Sequence, residues 1–505
     1  MINKPFSYSN RLLLVLAIKS CIIILFILFA GLRLGPDEAQ YWTWSKALDL
    51  GYYSKPPGIA WQIGLGTLIF GNTESGIRIV SVLIAFAQAF AIYHLALACQ
   101  LRSHTAFWSG IIMAFCPVGI FGSIFAITDG GLLLFWTVAC ILLVHGLKRF
   151  SFPNPIWIGL CIAAGALFKW SIYIFWIYAF LLYSLSFPFQ NWYKKFFLGA
   201  SLSLLGLLPS IYWNWSHDWA TFRHVGSTLN GGHGPNEGNF FEFIGSQALL
   251  LSPIFFGLLL CAYKYALKTF KNLDLSLVFC LLFSCVTLCL FSFLSLFQKL
   301  QGNWILFAYP TGIVLIGWYC CEVNMYALKW LKGGSVFSIA LSSMILCWPS
   351  FTINYRKSPF KHNLGWYELN QSLQMHGYDP DTHFLVSDKY QTTSILSFYS
   401  EGQKRAYFLN LEGNRKNQFS YWPDLQSQEK KKSGFFIWIE NTPHLAKNWK
   451  ERRQHYLNEL QKYFEEVEPF PLIPLITENE QIVKGALFFK CRNCKNKRPD
   501  DSLKY

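Results

Sequence analysis

Apolar runs of roughly 17 to 25 residues, the length that carries an α-helix across a hydrocarbon core, recur along almost three quarters of this chain. They lie near 12–32, 77–98, 106–123, 129–147, 155–170, 172–188, 197–213, 244–263, 275–297, 303–320 and 335–351. Eleven such runs need a bilayer as solvent, because a soluble core could not cover them. Composition agrees, with 53% of the 505 residues hydrophobic, 18% aromatic and only 14% charged. The reading is a mainly α, polytopic helical membrane domain of about 11 to 13 spans over residues 1–353, followed by a small soluble α/β domain over 354–505. The first run follows a basic lead ending at Arg11 and looks like a signal peptide. It is too long for one and no small-residue cleavage site follows, so it reads as an uncleaved first span. Residues 58–70 are too short to cross and suit a helix lying in the interface.

The formal charge of +15 could imply nucleic acid, but the basic residues are spread through short loops and a tail rather than gathered on one face. Orientation in a membrane accounts for them. With the N-terminus in the cytoplasm, alternation puts Arg102, Lys148–Arg149, Lys194–Lys195, Lys264, Lys268, Lys271, Lys329 and Lys332 all on the cytoplasmic side, as the positive-inside rule asks. The same alternation puts 33–76, 124–128, 214–243, 298–302 and everything after 352 on the opposite, extracytoplasmic face.

The first of those outer segments, RLGPDEAQYWTWSKALDLGYYSKPPGIAW (33–61), concentrates the chemistry. Adjacent carboxylates Asp37 and Glu38 follow the turn pair Gly35-Pro36, and Lys55 precedes two prolines on the far side. Between them lie Tyr41, Trp42, Trp44, Tyr52 and Tyr53, residue types that sit at a bilayer's polar boundary. A carboxylate can take a proton while a lysine offsets phosphate charge. Such a segment suits reaction between a water-exposed hydroxyl or phosphate and a lipid-linked phosphate. The plainer alternative is a topogenic loop with ordinary interfacial anchors.

Further polar residues fall on the same face. Asp129 stands at the lip of a span, where an acid is costly and usually functional, although it can simply cap a helix. Lys169 interrupts the hydrophobicity of 155–188 and can equally be a snorkelling anchor. The segment after the seventh run carries His217, Asp218, Arg223, His224 and His233, and neighbouring Arg and His side chains offer phosphate or metal binding. Lys299 adds a cation before the tenth run. Twelve of the fourteen cysteines lie in or beside apolar runs and act as small hydrophobes. Cys491 and Cys494 stand apart in a polar CRNC, which reads as a disulfide or half of a metal site.

After residue 354 the hydrophobicity falls. HFLVSD and FFIWIE read as buried strands, YQTTSILSFYSEG as a helix, ERRQHYLNELQKYFEEVE as an amphipathic helix and GALFFKC as a last strand.

Taken in order, PDEAQYW (36–42), LGYYSKPPGIAW (50–61), ITDGGLLLFW (127–136), ALFKWS (166–171), LLPSIYWNWSHDWATF (207–222) and NWILFAYP (303–310) resemble the GT-C superfamily of multi-spanning glycosyltransferases that use polyprenyl-phosphate sugars. The similarity is to the bacterial branch of protein O-mannosyltransferase relatives and the lipid A aminoarabinose transferase. It continues weakly through GWYELNQSL and NRKNQFSYW in the tail. The resemblance implies an undecaprenyl-phosphate-sugar donor, an envelope acceptor such as lipid A or another glycan, and inversion at the anomeric carbon. It implies Asp37 as catalytic acid with Glu38 as its neighbour, and Lys55 at the donor phosphate; on chemical grounds Asp37 is expected to deprotonate the acceptor, and Arg223 or Lys299 to join Lys55 at that phosphate. Tyr53, Asp129, Lys169 and His224 join as further site residues. His224 matches a histidine that some relatives use for a divalent metal, but Ser54 replaces the ligand often found before Lys-Pro. Protein O-glycosylation on the same fold is the alternative within this class. A lipid-linked-sugar flippase is the competitor from another class, set back by the lack of paired broken helices in corresponding halves.

Overall fold

The computed structural model describes residues 7–230, 238–351, 355, 358–429, 432–440, 445–495, 497 and 499. The chain divides into two compact units. One comprises the stretch ending at Ala30 with Lys55–Trp213 and Asn230–Met344; the other comprises Gly31–Ser54, Asn214–Leu229 and the chain from Ile345 onward.

The first unit is helical. Among the described residues, seven helices are long and apolar enough to cross a membrane, and up to nine if each of two bent pairs counts as one span. All eleven apolar runs of the sequence are helical, but 155–170 and 172–188 form the shorter helices Pro155–Ala166 and Trp170–Ser186. These two bent pairs correct the expectation that paired broken helices are lacking, which therefore no longer counts against a flippase; both bends have local causes. Ser103–Phe115 meets Pro117–Ile124 at 56°, where Cys116 is held extended (φ −65°, ψ 156°) before a proline. Phe240–Leu251 meets Pro253–Lys268 at 103°, where Ser252 takes φ 82° ahead of Pro253. The expected interfacial segment forms the helix Gly58–Phe70. Where the spans meet, Trp136 is fully buried, its ring 5.4 Å from Phe175, 5.8 Å from Phe283 and 4.8 Å from Phe307.

The second unit is built on a six-stranded mixed sheet. Strands β1 (His383–Ser387), β2 (Tyr407–Phe408), β3 (Ser433–Glu440), β4 (Phe464–Pro469), β5 (Ile473–Glu478) and β6 (Gln481–Cys494) are ordered β2-β1-β3-β6-β4, with β5 also on β6. β1 runs parallel to β2 and β3, while β6 is antiparallel to β3, β4 and β5. Helix Leu445–Leu460 stops before KYFEEVE; the run expected to finish it is strand β4. Its alternating burial suits an edge strand, and it pairs with β6 from Phe464 to Pro469.

Cys491 and Cys494 are both free thiols on β6. Three residues along one strand separate their Cα atoms by about 10 Å and point their side chains to opposite faces, beyond disulfide reach. The disulfide reading of CRNC therefore fails.

Two segments from between the membrane runs pack into this second unit. Helix Pro36–Ser45 lies on helix Tyr390–Tyr399, with the Trp42 ring edge-on to Phe398 at 5.0 Å. The Tyr399 hydroxyl accepts from Leu34 N at 2.6 Å, and Asn363 Nδ2 donates to the Arg33 carbonyl at 2.8 Å. The aromatics expected as interfacial anchors are core residues instead: Trp42, Trp44, Tyr52 and Tyr53 are all buried, and Trp44 stacks on Tyr52 at 4.6 Å. Burying such large rings is the main apolar reward for docking the segment.

Candidate active site

Asp37 and Glu38 lie on a helix, not in a loop. Pro36 has its φ preset for the first helical position and has no N–H to leave unpaired. Glu38, at the third position, reaches back so that its Oε2 accepts from Gly35 N at 3.4 Å; this is the carboxylate half of a capping box, since glycine has no side chain for the reciprocal bond. Glu38 is buried with one oxygen turned to this helix start, whereas Asp37, one residue earlier, is exposed in the first turn. The helix N-terminus presents positive partial charge there. Of the two adjacent acids, Asp37 is the one open to a reactant.

The sheet domain supplies its surroundings. Tyr390, on the first turn of helix Tyr390–Tyr399, feels both Asp37 and Arg415: burial raises its pKa most, the Asp37 charge raises it further, and the Arg415 guanidinium opposes them. At neutral pH Tyr390 is therefore a protonated phenol. Arg415 Nη1 lies 3.4 Å from His224 Nδ1. The His224 ring is 4.9 Å from that of Tyr53, and the Tyr53 N–H donates to Gln418 Oε1 at 2.7 Å. The structure thus gathers Asp37, Tyr53 and His224 of the expected set into the second unit. It adds Tyr390 and Arg415, which the sequence reading passed over. Arg415 falls within the quoted NRKNQFSYW motif, where a basic pair ahead of three aromatics was the available signal.

Arg223 is turned to a carboxylate, with Nη1 and Nη2 each 2.9 Å from an oxygen of Asp218 in an exposed bidentate pair. It reaches an anion only by giving up that partner. Among the described residues no group of three or more His, Cys, Asp or Glu side chains could hold a metal ion, and His224 faces Arg415. Among the described residues, a donor set for the suggested divalent metal is not assembled around His224. His233 lies outside the described residues.

The first unit holds Lys55, Asp129, Lys169 and Lys299, and brings two of them into contact. Lys169 Nζ is 2.7 Å from Asp129 Oδ1, and Asn303 Nδ2 donates to Asp129 Oδ2 at 3.2 Å. Asp129 opens helix Thr128–Lys148, so the acid both meets its helix N-terminus and neutralises the lysine. The Lys55 segment docks beside this pair. Gly58 N donates to the Leu167 carbonyl at 2.7 Å, and a Cβ on Gly58 would stand only 2.6 Å from that oxygen. KPPG and ALFKWS, far apart in sequence, therefore touch through the one residue that permits it. Lys299 is exposed just before the turn Gly302–Ala308.

Three comparisons bear on this arrangement. Residues 54–213 match the family model described as dolichyl-phosphate-mannose-protein mannosyltransferase. The lipid A galacturonosyltransferase of Rhizobium johnstonii is 26% identical over 438 residues, covering 83% of this chain and 90% of that protein. An undecaprenyl phosphate-alpha-4-amino-4-deoxy-L-arabinose arabinosyl transferase of Proteus mirabilis is 28% identical over 182 residues, covering 33% of this chain and 32% of that protein. Among solved structures, ArnT of Cupriavidus metallidurans bound to undecaprenyl phosphate superposes with a TM-score of 0.62 at 12% identity, covering 94% of this chain and 97% of that one. The apo form of the same protein gives 0.58. This chain thus shares the fold of that membrane glycosyltransferase along nearly its whole length, matches the mannosyltransferase family model across residues 54–213 and aligns with a lipid A glycosyltransferase over most of its length, in keeping with the resemblance to the GT-C superfamily.

Proposed function

We propose that this protein moves a sugar from an undecaprenyl-phosphate donor to lipid A or another envelope glycan, at the extracytoplasmic face of a bacterial inner membrane and with inversion. One observation supports the reading above the rest: Asp37 is exposed in a helix first turn and its charge acts on Tyr390, which Arg415 also faces, while its neighbour Glu38 is buried and turned to the Gly35 N–H. The lipid A transferases among the relatives give the donor and acceptor classes.

A sugar phosphodiester already contains a good leaving group. The protein has to align an acceptor oxygen with C1 and stabilise the charge growing on the departing phosphate. Asp37 takes the acceptor hydroxyl proton as its oxygen attacks C1 from the side opposite the phosphate. The C1–O bond breaks with its electron pair going to the phosphate, and polyprenyl phosphate leaves. Lys55 stands at that phosphate, with Arg223 or Lys299 as further cations. Where the acceptor is itself a phosphate, Asp37 orients it and no proton need move. His224 serves as a ring partner of Tyr53, and Asp129 with Lys169 holds the turn against which the Lys55 segment rests.

The test is incubation of purified protein with labelled undecaprenyl-phosphate sugar. Acceptor-dependent release of undecaprenyl phosphate, lost in Asp37→Asn, is the expected result. Full transfer by Asp37→Asn refutes the base role, and movement of intact donor between leaflets without cleavage refutes the enzyme. Reporter fusions at residue 45 test orientation: a cytosolic signal there overturns it.

A further inference from the structure

We propose that the second unit holds a binding site for an anionic saccharide in a two-lobed cleft at the edge of its sheet, separate from Asp37. One lobe has a volume of about 580 Å³ and is lined by Asn410, Phe419, Ser420 and Gln426 among others. The other, about 390 Å³, is lined by Trp42, Lys46, Lys404 and Glu429 among others. Arg405, Tyr407 and Trp422 belong to both linings and form the ridge between them. Each lobe is in the range of small-ligand cavities, about 300–1,000 Å³.

The chemistry of the ridge selects the ligand. The Arg405 guanidinium lies over two rings, 5.3 Å from the Tyr407 centroid and 5.7 Å from that of Trp422. Its Nη2 donates to the Pro423 carbonyl at 2.8 Å. Rings and carbonyl fix the plane of the fork and leave donors for a carboxylate or phosphate, which such a fork takes bidentately. Lys46 is likewise held by a ring, 5.5 Å from the Trp42 centroid. The acids of the lining are engaged. Asp424 Oδ1 accepts from Ser427 N at 2.9 Å as a helix cap, and Glu429 pairs with Lys432 at 3.0 Å and accepts from the Tyr407 hydroxyl at 3.2 Å. Lys404 is balanced by Asp381 at 2.7 Å. With those pairs balanced, Arg405 and Lys46 outweigh the Asp424 carboxylate, and the lining keeps a net positive charge toward a ligand.

Flat faces from Tyr407, Phe419 and Trp422 beside amides and hydroxyls from Asn410, Gln426 and Ser420 suit a pyranose. Its C–H face stacks on a ring while its hydroxyls meet the amides. An acyl chain would strand those polar groups.

Position gives the cleft its meaning. Trp42 and Lys46 lie at the far end of the helix that starts with Asp37, so at 1.5 Å per residue the cleft begins roughly 8 to 14 Å from the acid. A glycan seated there presents a sugar one or two rings further along to Asp37. This use of the site rests on the proposed transfer to an envelope glycan; the binding itself does not.

Calorimetry on the full-length protein in detergent tests it, with three soluble probes: the bisphosphorylated glucosamine disaccharide without acyl chains, digalacturonic acid, and the same glucosamine disaccharide without phosphates. The expected result is binding of one or both charged probes at least tenfold tighter than the neutral one, weakened at least tenfold in Arg405→Gln. Lys46→Gln, at an exposed position, should weaken it several-fold with the fold untouched. Which charged probe wins separates a phosphate from a carboxylate ligand. Acceptor-independent donor hydrolysis should be unchanged in both variants. Equal affinity for charged and neutral probes, or charged-probe affinity unchanged in both variants, overturns the cleft. Charge-dependent binding in a protein that transfers no sugar would leave the cleft standing and defeat only the catalytic reading.

Discussion

Lys169 and Asp129 are 2.7 Å apart where two helical segments of the membrane unit meet, and the acid's second oxygen accepts from Asn303. The side chains are only 19% and 6% exposed, so the pair is one whose breakage is costly. Removing the partner of a buried charge costs about 3–5 kcal/mol; the partial exposure of Lys169 brings the expectation to about 2–3 kcal/mol. Asp129→Asn should melt several degrees lower in detergent, and Asp129→Asn with Lys169→Met should regain most of the loss. A single variant with the parental melting curve would show that the pair carries no stability.

Gly58 is the contact between the Lys55 segment and the Leu167 turn. An alanine there sets its Cβ against the Leu167 carbonyl, a backbone atom that cannot swing aside. Overpacking of this kind costs about 1–3 kcal/mol, and the strain falls on the segment that carries Lys55. Gly58→Ala should raise the KM for the undecaprenyl-phosphate donor severalfold. Gly122→Ala is the control, since a Cβ there meets nothing within 4 Å. Equal donor KM in both variants would sever Gly58 from donor binding.

Arg415 and Tyr390 are expected to act with Asp37. Hydrogen bonds to charged groups contribute about 1.5–3 kcal/mol, which corresponds to a loss of roughly 10- to 150-fold in kcat/KM for Arg415→Gln. Arg415→Lys should recover part of it, because the charge returns without the fork. Burial keeps the Tyr390 phenol protonated, so Tyr390→Phe should lower the rate without moving the acid limb of its pH profile. A shift of that limb would make Tyr390 a titrating participant.

Much of this molecule is written in its apolar runs, because a bilayer imposes one length on every crossing and all eleven runs became helices. Bends at Cys116 and Ser252 were less visible, since a proline announces a break without giving its angle. Asp37 and Lys55 stood out as charges among aromatics, but the burial of Trp42, Trp44 and Tyr52 did not: a ring suited to an interface is equally suited to a core, and only the helix Tyr390–Tyr399, some 350 residues later, decides between them. Arg415 escaped notice for the same reason, as nothing local links it to His224. Glu38 beside Asp37 read as a second site acid; its place three residues after Gly35, where it reaches the Gly35 N–H, becomes legible only once the helix start is known.

Lys484 gives the second unit a dependence on pH that is open to measurement. Its ammonium lies 3.4 Å from the Trp366 centroid and donates to the Leu364 carbonyl. Burial lowers its pKa to about 7, against a smaller opposing pull from Glu368. An unfolded lysine titrates near 10.4. Below pH 7 both states hold the proton and the cost of burying the charge is present in full. Between pH 7 and about 10 the unfolded chain binds more protons, so stability rises with pH there, at up to about 1.4 kcal/mol per unit. Lys484→Met removes the titrating group and keeps the apolar stem. It should be more stable than the parent at pH 7, and the parent should gain on it as pH is raised to 9.5 in thermal melts of the full-length protein. Parallel pH dependence in the two proteins would mean that Lys484 finds water in the folded state and keeps an ordinary pKa.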